Sequence, residues 1–216
     1  MSTEPITVFE GREIDVSWDS RLCIHLGECG KAEGELFVAG REPWCQPDAV
    51  SRAEVREVVE RCPTGALSYR DKIGTPEPAP AENRCLVANN GPLYLTGDLE
   101  IEGAPEDMPG VRRRVALCRC GASKNKPFCD NSHVEVRFED GGAVGSRGPG
   151  LSERGGPLRV RVMPNGPLKL EGNLTILAGS GRPAWEGTQT ALCRCGASKN
   201  TPFCDGSHRT LGFKSD

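Results

Sequence analysis

Aromatic residues are scarce in this chain: three Trp, two Tyr and six Phe make up 5% of its 216 residues, while 27 Gly and 17 Pro supply turns. So little bulky apolar material argues against one large core and for cohesion supplied by bound groups. Long apolar runs are also missing, and none approaches the ~20 residues that a bilayer span demands. No charge sign dominates either. The formal charge is -3 with both signs interspersed, which offers no polybasic footprint for nucleic acid or for an anionic membrane. The opening MSTEPITVFEGREID is acidic and has no apolar h-region, so no secretory signal is expected and the cytoplasm is the expected compartment. Histidine occurs only three times, whereas cysteine occurs 11 times. In a reducing compartment such cysteines are poor disulfide candidates and better metal ligands.

Six of the cysteines and two of the histidines are organised by a repeat. Cys118 to His133 reads CRCGASKNKPFCDNSH, and Cys193 to His208 reads CRCGASKNTPFCDGSH, 75 positions later, with 14 of 16 residues identical. The repeat is wider than the motif, because Asn90-Gly91-Pro92-Leu93 to Ile101 matches Asn165-Gly166-Pro167-Leu168 to Ile176 at the same offset, and Phe138 matches Phe213. Each copy opens on a turn signal and then alternates, which predicts a β-hairpin or meander. Cys118 and Cys120 share one side of an extended segment, since strand side chains have a period of two. Cys129 and His133, four apart, share one face of a helical turn that Pro127 precedes and Asp130 can cap. The same C-x-C-x8-C-x3-H spacing in the second copy selects Cys193, Cys195, Cys204 and His208. A Cys3His set suits structural zinc as well as an iron-sulfur cluster.

The remaining cysteines lie mostly upstream. Ile6-Phe9 and Ile14-Trp18 predict two short strands around Gly11, and Ser51-Arg52-Ala53-Glu54 is a capping box that opens a helix over 52–61. Pro63 forces an exit at Cys62, and Gly65-Ala66-Leu67-Ser68-Tyr69 returns as a strand. Cys23 and Cys29 sit on a loop with His25 between them. Residues 71–83 carry alternating prolines and form a semi-rigid linker, and the Gly-rich residues 139–157 form a flexible connector. The domains expected are thus 1–70, a first repeat over 84–138 and a second over 158–216. Cys85 reads as a core thiol, Trp44 and Trp185 as packing residues, and Arg119, Arg194, Lys124 and Lys199 as solvated charges that could steer an anionic partner or tune a potential.

The repeated stretch resembles the CDGSH (NEET-type) iron-sulfur family, whose pattern extends to Ser123, Pro127, Phe128 and Asp130 and to Ser198, Pro202, Phe203 and Asp205. Asn131 departs from it, standing where Gly206 stands in the second copy; if the position is left-handed, Asn is the next most tolerant residue. The resemblance implies a 2Fe-2S cluster in each copy, held by three thiolates and one exposed histidine nitrogen. It also implies mainly-β repeats with one short helix at the cluster, and two-motif pairing as an intramolecular pseudo-dimer in a monomer. Cys23, Cys29 and Cys62-Pro63 resemble a divergent single-cluster ferredoxin in which Leu26 replaces the middle cysteine. That resemblance implies a 3Fe-4S cluster on Cys23, Cys29 and Cys62, or a 4Fe-4S cluster completed by Cys45, His25 or an exogenous ligand. The fold class expected is α+β: a ferredoxin-like α+β domain followed by the mainly-β repeats.

An electron carrier working with a flavoprotein reductase or an oxygenase is the leading functional reading, and a cluster donor to an apo-acceptor or a redox and pH sensor is the alternative. A zinc-binding structural module is the second alternative. No nucleophile and base pair and no nucleotide fingerprint suggests an enzyme.

Overall fold

The structure, a computed structural model, describes residues 5–215. Three antiparallel strands come from the first third: β1 (Ile6–Phe9), β2 (Ile14–Asp19) and β3 (Leu67–Asp71), in the order β1-β2-β3. A short helix, α1 (Glu28–Lys31), precedes α2 (Arg52–Glu60), which packs on β2 and β3. The Ser51 side chain accepts from the Glu54 N–H at 3.3 Å, the N-cap half of the predicted capping box. Val55, Val58 and Val59 recur at helical spacing, and their face is buried against Phe9, Ile14, Val16 and Leu67. Trp44 closes this small core, with ring centroids 5.3 Å from Phe9, 5.0 Å from Phe37 and 6.0 Å from Trp18. Five of the chain's 11 aromatic residues are gathered in this small core.

The second core spans both repeats. The first repeat supplies β4 (Arg84–Val87), β5 (Leu93–Thr96), β6 (Asp98–Ile101), β7 (Arg114–Leu117) and helix α3 (Ser132–Glu135). The second supplies β8 (Pro157–Val162), β9 (Leu168–Leu177), β10 (Pro183–Leu192) and helix α4 (Ser207–Leu211). These seven strands form one sheet in the order β6-β8-β9-β4-β5-β7, with β10 on β9. The alternation around Asn90-Gly91-Pro92 therefore produces a β4-β5 hairpin, but β6 does not fold back on β5. It crosses to pair parallel with β8, aligning Glu100 with Arg159, while β4 pairs parallel with β9, aligning Arg84 with Thr175. Under the 75-residue shift these are the same pairing, since 84 maps to 159 and 100 to 175.

Close backbone approach joins the repeats at their centre. Cys120 and Cys195, equivalent residues, form an antiparallel bridge with each other. Gly121 (φ 83°) and Gly196 (φ 78°) follow, and a Cβ on either would stand 2.6 Å from the carbonyl oxygen of the facing cysteine. Only glycine tolerates both the left-handed angle and the contact.

The proline segment has no regular secondary structure over residues 75–80, and it is pinned. Glu77 forms an ion pair with Arg114, a nearly buried residue that also donates to the Cys62 carbonyl at 2.8 Å. Gly65 lies against Gly110 and the Arg114 backbone, so the first third packs directly on the first repeat. The Gly-rich connector is irregular but likewise tied down, with Gly179 N–H donating to Gly142 O at 2.9 Å and Glu186 N–H to Arg147 O at 3.0 Å. No helix among the described residues is long and apolar enough to cross a membrane.

Asn83, 2% exposed, is the polar staple of the seven-stranded sheet: its amide donates to Gly156 O at 2.9 Å and Asn173 O at 2.8 Å, and its side-chain oxygen accepts from Asp98 N–H at 2.9 Å. Replacing it by alanine removes three part-buried hydrogen bonds to the backbone. Asn83→Ala should lower unfolding free energy by about 1–3 kcal/mol, read from the midpoint of guanidinium denaturation; an unchanged midpoint would remove the staple role.

Candidate metal centres

Each repeat presents its four donors as two pairs. In the first, β7 ends at Leu117 and delivers Cys118 and Cys120 with their sulfurs 3.8 Å apart, and the turn into α3 sets Cys129 Sγ 3.4 Å from His133 Nδ1. In the second, the corresponding distances are 3.6 Å for Cys193 to Cys195 and 3.4 Å for Cys204 to His208. Two thiolates on one tetrahedral ion at about 2.3 Å stand about 3.8 Å apart, and a thiolate with an imidazole nitrogen about 3.6 Å. Each pair thus has the spacing to hold one metal ion. Among the described residues no three Cys, His, Asp or Glu side chains converge on a single ion.

Local hydrogen bonds hold these pairs open. Asp130 accepts from Ser132 N–H at 3.0 Å and from Lys124 N–H at 2.8 Å, locking the two ends of the ligand loop, and Asp205 repeats the pattern with Ser207 and Lys199. Burial alone would raise the Asp130 carboxyl, but these donors hold it below the usual carboxylate range. Ser123 and Ser198 hydroxyls donate to Phe128 O and Phe203 O at 2.7 and 2.6 Å. The Cys120 thiol is lowered, chiefly by a hydrogen bond from Cys118, whereas burial raises Cys195 and pushes Cys129 up to about 11. Burial also lowers His133, which favours the neutral imidazole that a metal needs.

The arginines between the paired cysteines overturn the solvated-charge expectation. Arg119 and Arg194 are each 1% exposed. Arg119 donates to Gly91 O at 3.0 Å and Ala88 O at 2.6 Å, and Arg194 to Gly166 O at 3.0 Å and Met163 O at 2.7 Å. Each guanidinium also lies over the matching phenylalanine, 4.9 Å from the Phe138 centroid and 5.5 Å from Phe213. They clamp the hairpin turn onto the ligand loop; the cue in the sequence was that Arg, turn and Phe recur together at the 75-residue offset. Lys124 and Lys199 are exposed as expected.

In the first third, Cys23, Cys29, Cys62 and His25 line one mostly apolar cavity of about 410 Å³, together with Trp18 and Leu67. Burial raises the Cys29 thiol, with further contributions from Cys62 and Cys23. His25 sits in a left-handed conformation (φ 53°) with Nδ1 3.9 Å from Cys23 Sγ. Cys45 does not line this cavity. It is 1% exposed in the aromatic core, and burial pushes it up to about 12. Cys85 is fully buried between strands and also raised to about 12 by burial, as a core thiol should be.

The divergent 4Fe-4S mono-cluster model matches residues 9–72, and the model for the iron-binding zinc finger of CDGSH type matches residues 90–134 and again 165–209. The chain belongs to the divergent 4Fe-4S mono-cluster and CDGSH iron-binding families. The chain is 44% identical over 64 residues to "Uncharacterized protein YjdI" of Escherichia coli K12, an alignment covering 30% of this chain and 84% of that relative. The Escherichia coli O157:H7 protein of the same name matches equally. No solved structure matches the chain. The matches support an iron-sulfur protein with one divergent 4Fe-4S mono-cluster domain and two CDGSH iron-binding motifs, and the donor spacing just described fits such groups.

Cavity lining separates Cys62 from Cys45 by experiment. Cys62→Ser should lose the iron of the N-terminal site, on the order of three to four ions per chain, while Cys45→Ser should retain it; iron and acid-labile sulfide analysis of anaerobically purified protein checks both.

Proposed function

We propose that this CDGSH protein is an electron carrier in which the N-terminal site and the first repeat's site work as neighbours. The observation that carries the reading is the position of Ile24. This residue follows Cys23, is buried, and packs against Cys129, Ala116 and Tyr94 of the first repeat. Its carbonyl accepts a hydrogen bond from the Asn131 amide at 2.6 Å, and one peptide upstream of the loop Arg21 O accepts from Asn125 at 2.6 Å. One peptide unit and one van der Waals contact thus lie between a ligand of the N-terminal cavity and a ligand of the first repeat.

The residues assigned to the sites are Cys118, Cys120, Cys129 and His133 for a first 2Fe-2S cluster, and Cys193, Cys195, Cys204 and His208 for a second. Cys23, Cys29 and Cys62 are assigned to a 3Fe-4S or 4Fe-4S cluster, with His25 as the protein candidate for a fourth position because it shares the cavity and Cys45 does not. Such clusters supply one-electron chemistry when bound. The chain's own residues bury Cys118, Cys129, Cys193 and Cys195 and hold each repeat's histidine at the partly exposed end of its site. One neutral imidazole in place of a fourth thiolate leaves the site less negative and easier to reduce. The symmetric exchange of β6 and β4 and the Cys120–Cys195 bridge support an intramolecular pseudo-dimer and a monomeric chain. Paired donors favour a two-metal cluster over a single structural zinc, which requires four donors around one point.

Donation of a cluster to an apo-acceptor is the second reading, favoured by the greater exposure of Cys204 than of Cys129. Mixing with an apo-ferredoxin distinguishes them: retained colour supports the carrier, and transfer of colour supports the donor.

His133→Cys should lower the first repeat's midpoint potential by on the order of 100 mV and slow acid bleaching of that site. Redox titration followed by electron paramagnetic resonance reads the first effect, and an unshifted potential would remove His133 from the ligand set.

A further inference from the structure

The two CDGSH sites share their ligands but not their surroundings. At the first, the face formed by Tyr94, Ala116 and Cys129 is covered by Ile24 of the N-terminal loop. The same face of the second is open. It forms a groove of about 650 Å³ lined by Lys169, Ala191, Cys204, His208, Arg209 and Lys214. Under the 75-residue shift Lys169 corresponds to Tyr94, Arg209 to Val134 and Lys214 to Glu139. A ring, an aliphatic side chain and an acid have become three cations, all exposed. No carboxylate among the described residues lines the groove. Gly206 stands where Asn131 ties down the loop on the first face, so the second face also lacks the amide that would fasten a covalently attached domain.

Resting on the electron-carrier reading, we propose that the groove over Cys204 and His208 is the docking port for a separate redox protein with an acidic surface, seated as the N-terminal loop is seated on the first repeat. Lys169, Arg209 and Lys214 surround the partly exposed ligands, so an acidic rim on the partner is guided to the point where the second site comes nearest to solvent. One electron passes between the partner's centre and the second site, the donor being oxidised and the acceptor reduced, with no bond made or broken. The internal comparison accounts for Lys169, Arg209 and Lys214 on the second face, with Arg137 the one cation the first face carries instead at the place of Gly212: the first face already has a permanent occupant, held by packing and by Asn131 and Asn125.

The test uses the full holoprotein and, as probe, an acidic FMN-containing flavodoxin in its hydroquinone form, mixed by stopped flow over a series of salt concentrations. The rate constant should fall with rising ionic strength. In the combined variant Lys169→Glu, Arg209→Glu, Lys214→Glu it should be about tenfold lower or more, with little remaining salt dependence, and with cluster absorbance unchanged. A control carrying the same charge change elsewhere, Arg112→Glu, Arg159→Glu, Arg161→Glu, should stay within about twofold of the parent. Equal losses in both variants, or no loss in either, would overturn the port while leaving the carrier reading intact. Self-association of the parent that vanishes in the first variant, seen by sedimentation, would assign the groove to a second copy and overturn it too. A holoprotein whose colour does not respond to dithionite would sink the carrier reading itself, and the port with it.

Discussion

The backbone contact at Cys120 and Cys195 governs the arrangement of everything around it. Two equivalent cysteines face one another across a bridge with glycines directly behind them, so the candidate donor segment of each repeat is packed against that of the other. The parallel pairings of β6 with β8 and of β4 with β9 extend this tie into the sheet, so each repeat completes the other's core. A chain with few aromatics reaches cohesion in this way: buried Leu, Val and Ile from both copies fill one interior, from Leu93, Val115 and Leu117 to Leu168, Leu170 and Ile176. Iron-sulfur ligation then acts on a scaffold already closed by backbone hydrogen bonds and by the Arg119 and Arg194 clamps.

Symmetry at the centre makes the asymmetry at the edges informative. Asn131 and Gly206 adopt the same left-handed conformation, with φ 71° and 91°, so the substitution is not a conformational concession. The amide of Asn131 serves a purpose outside its own repeat, fastening the Ile24 loop. Tyr94 and Ala116 are covered by the same loop, while their counterparts Lys169 and Ala191 face a groove. A duplicated unit has thereby acquired one inward and one outward face through a handful of side chains.

Much of the site was legible because ligand chemistry is local. A period of two brought Cys118 to Cys120, and a helical turn brought Cys129 to His133, with no knowledge of the rest of the fold. The N-terminal strands, the capped helix and the Cys62-Pro63 exit were legible for the same reason, since caps and prolines act over a few residues. The roles of Arg119 and Arg194 were not, because a charged residue between two cysteines reads as solvated until the hairpin turn and the phenylalanine that surround it are in place. The connector and the proline segment misled in another way: composition describes how freely a segment could move alone, and the Glu77–Arg114 pair and the Gly142–Gly179 bond come from distant residues.

The sequence by itself determined the Cys-Cys and Cys-His donor pairs, the repeat and the short elements that carry them, because each depends on spacings of a few residues and on the chemistry of thiol and imidazole. Tertiary structure decided which faces are covered. The strand exchange, the seat of Ile24 on Cys129 and the exclusion of Cys45 from the N-terminal cavity depend on residues tens of positions apart. Those separations are set by how two sheets and their loops pack, and no local period encodes them.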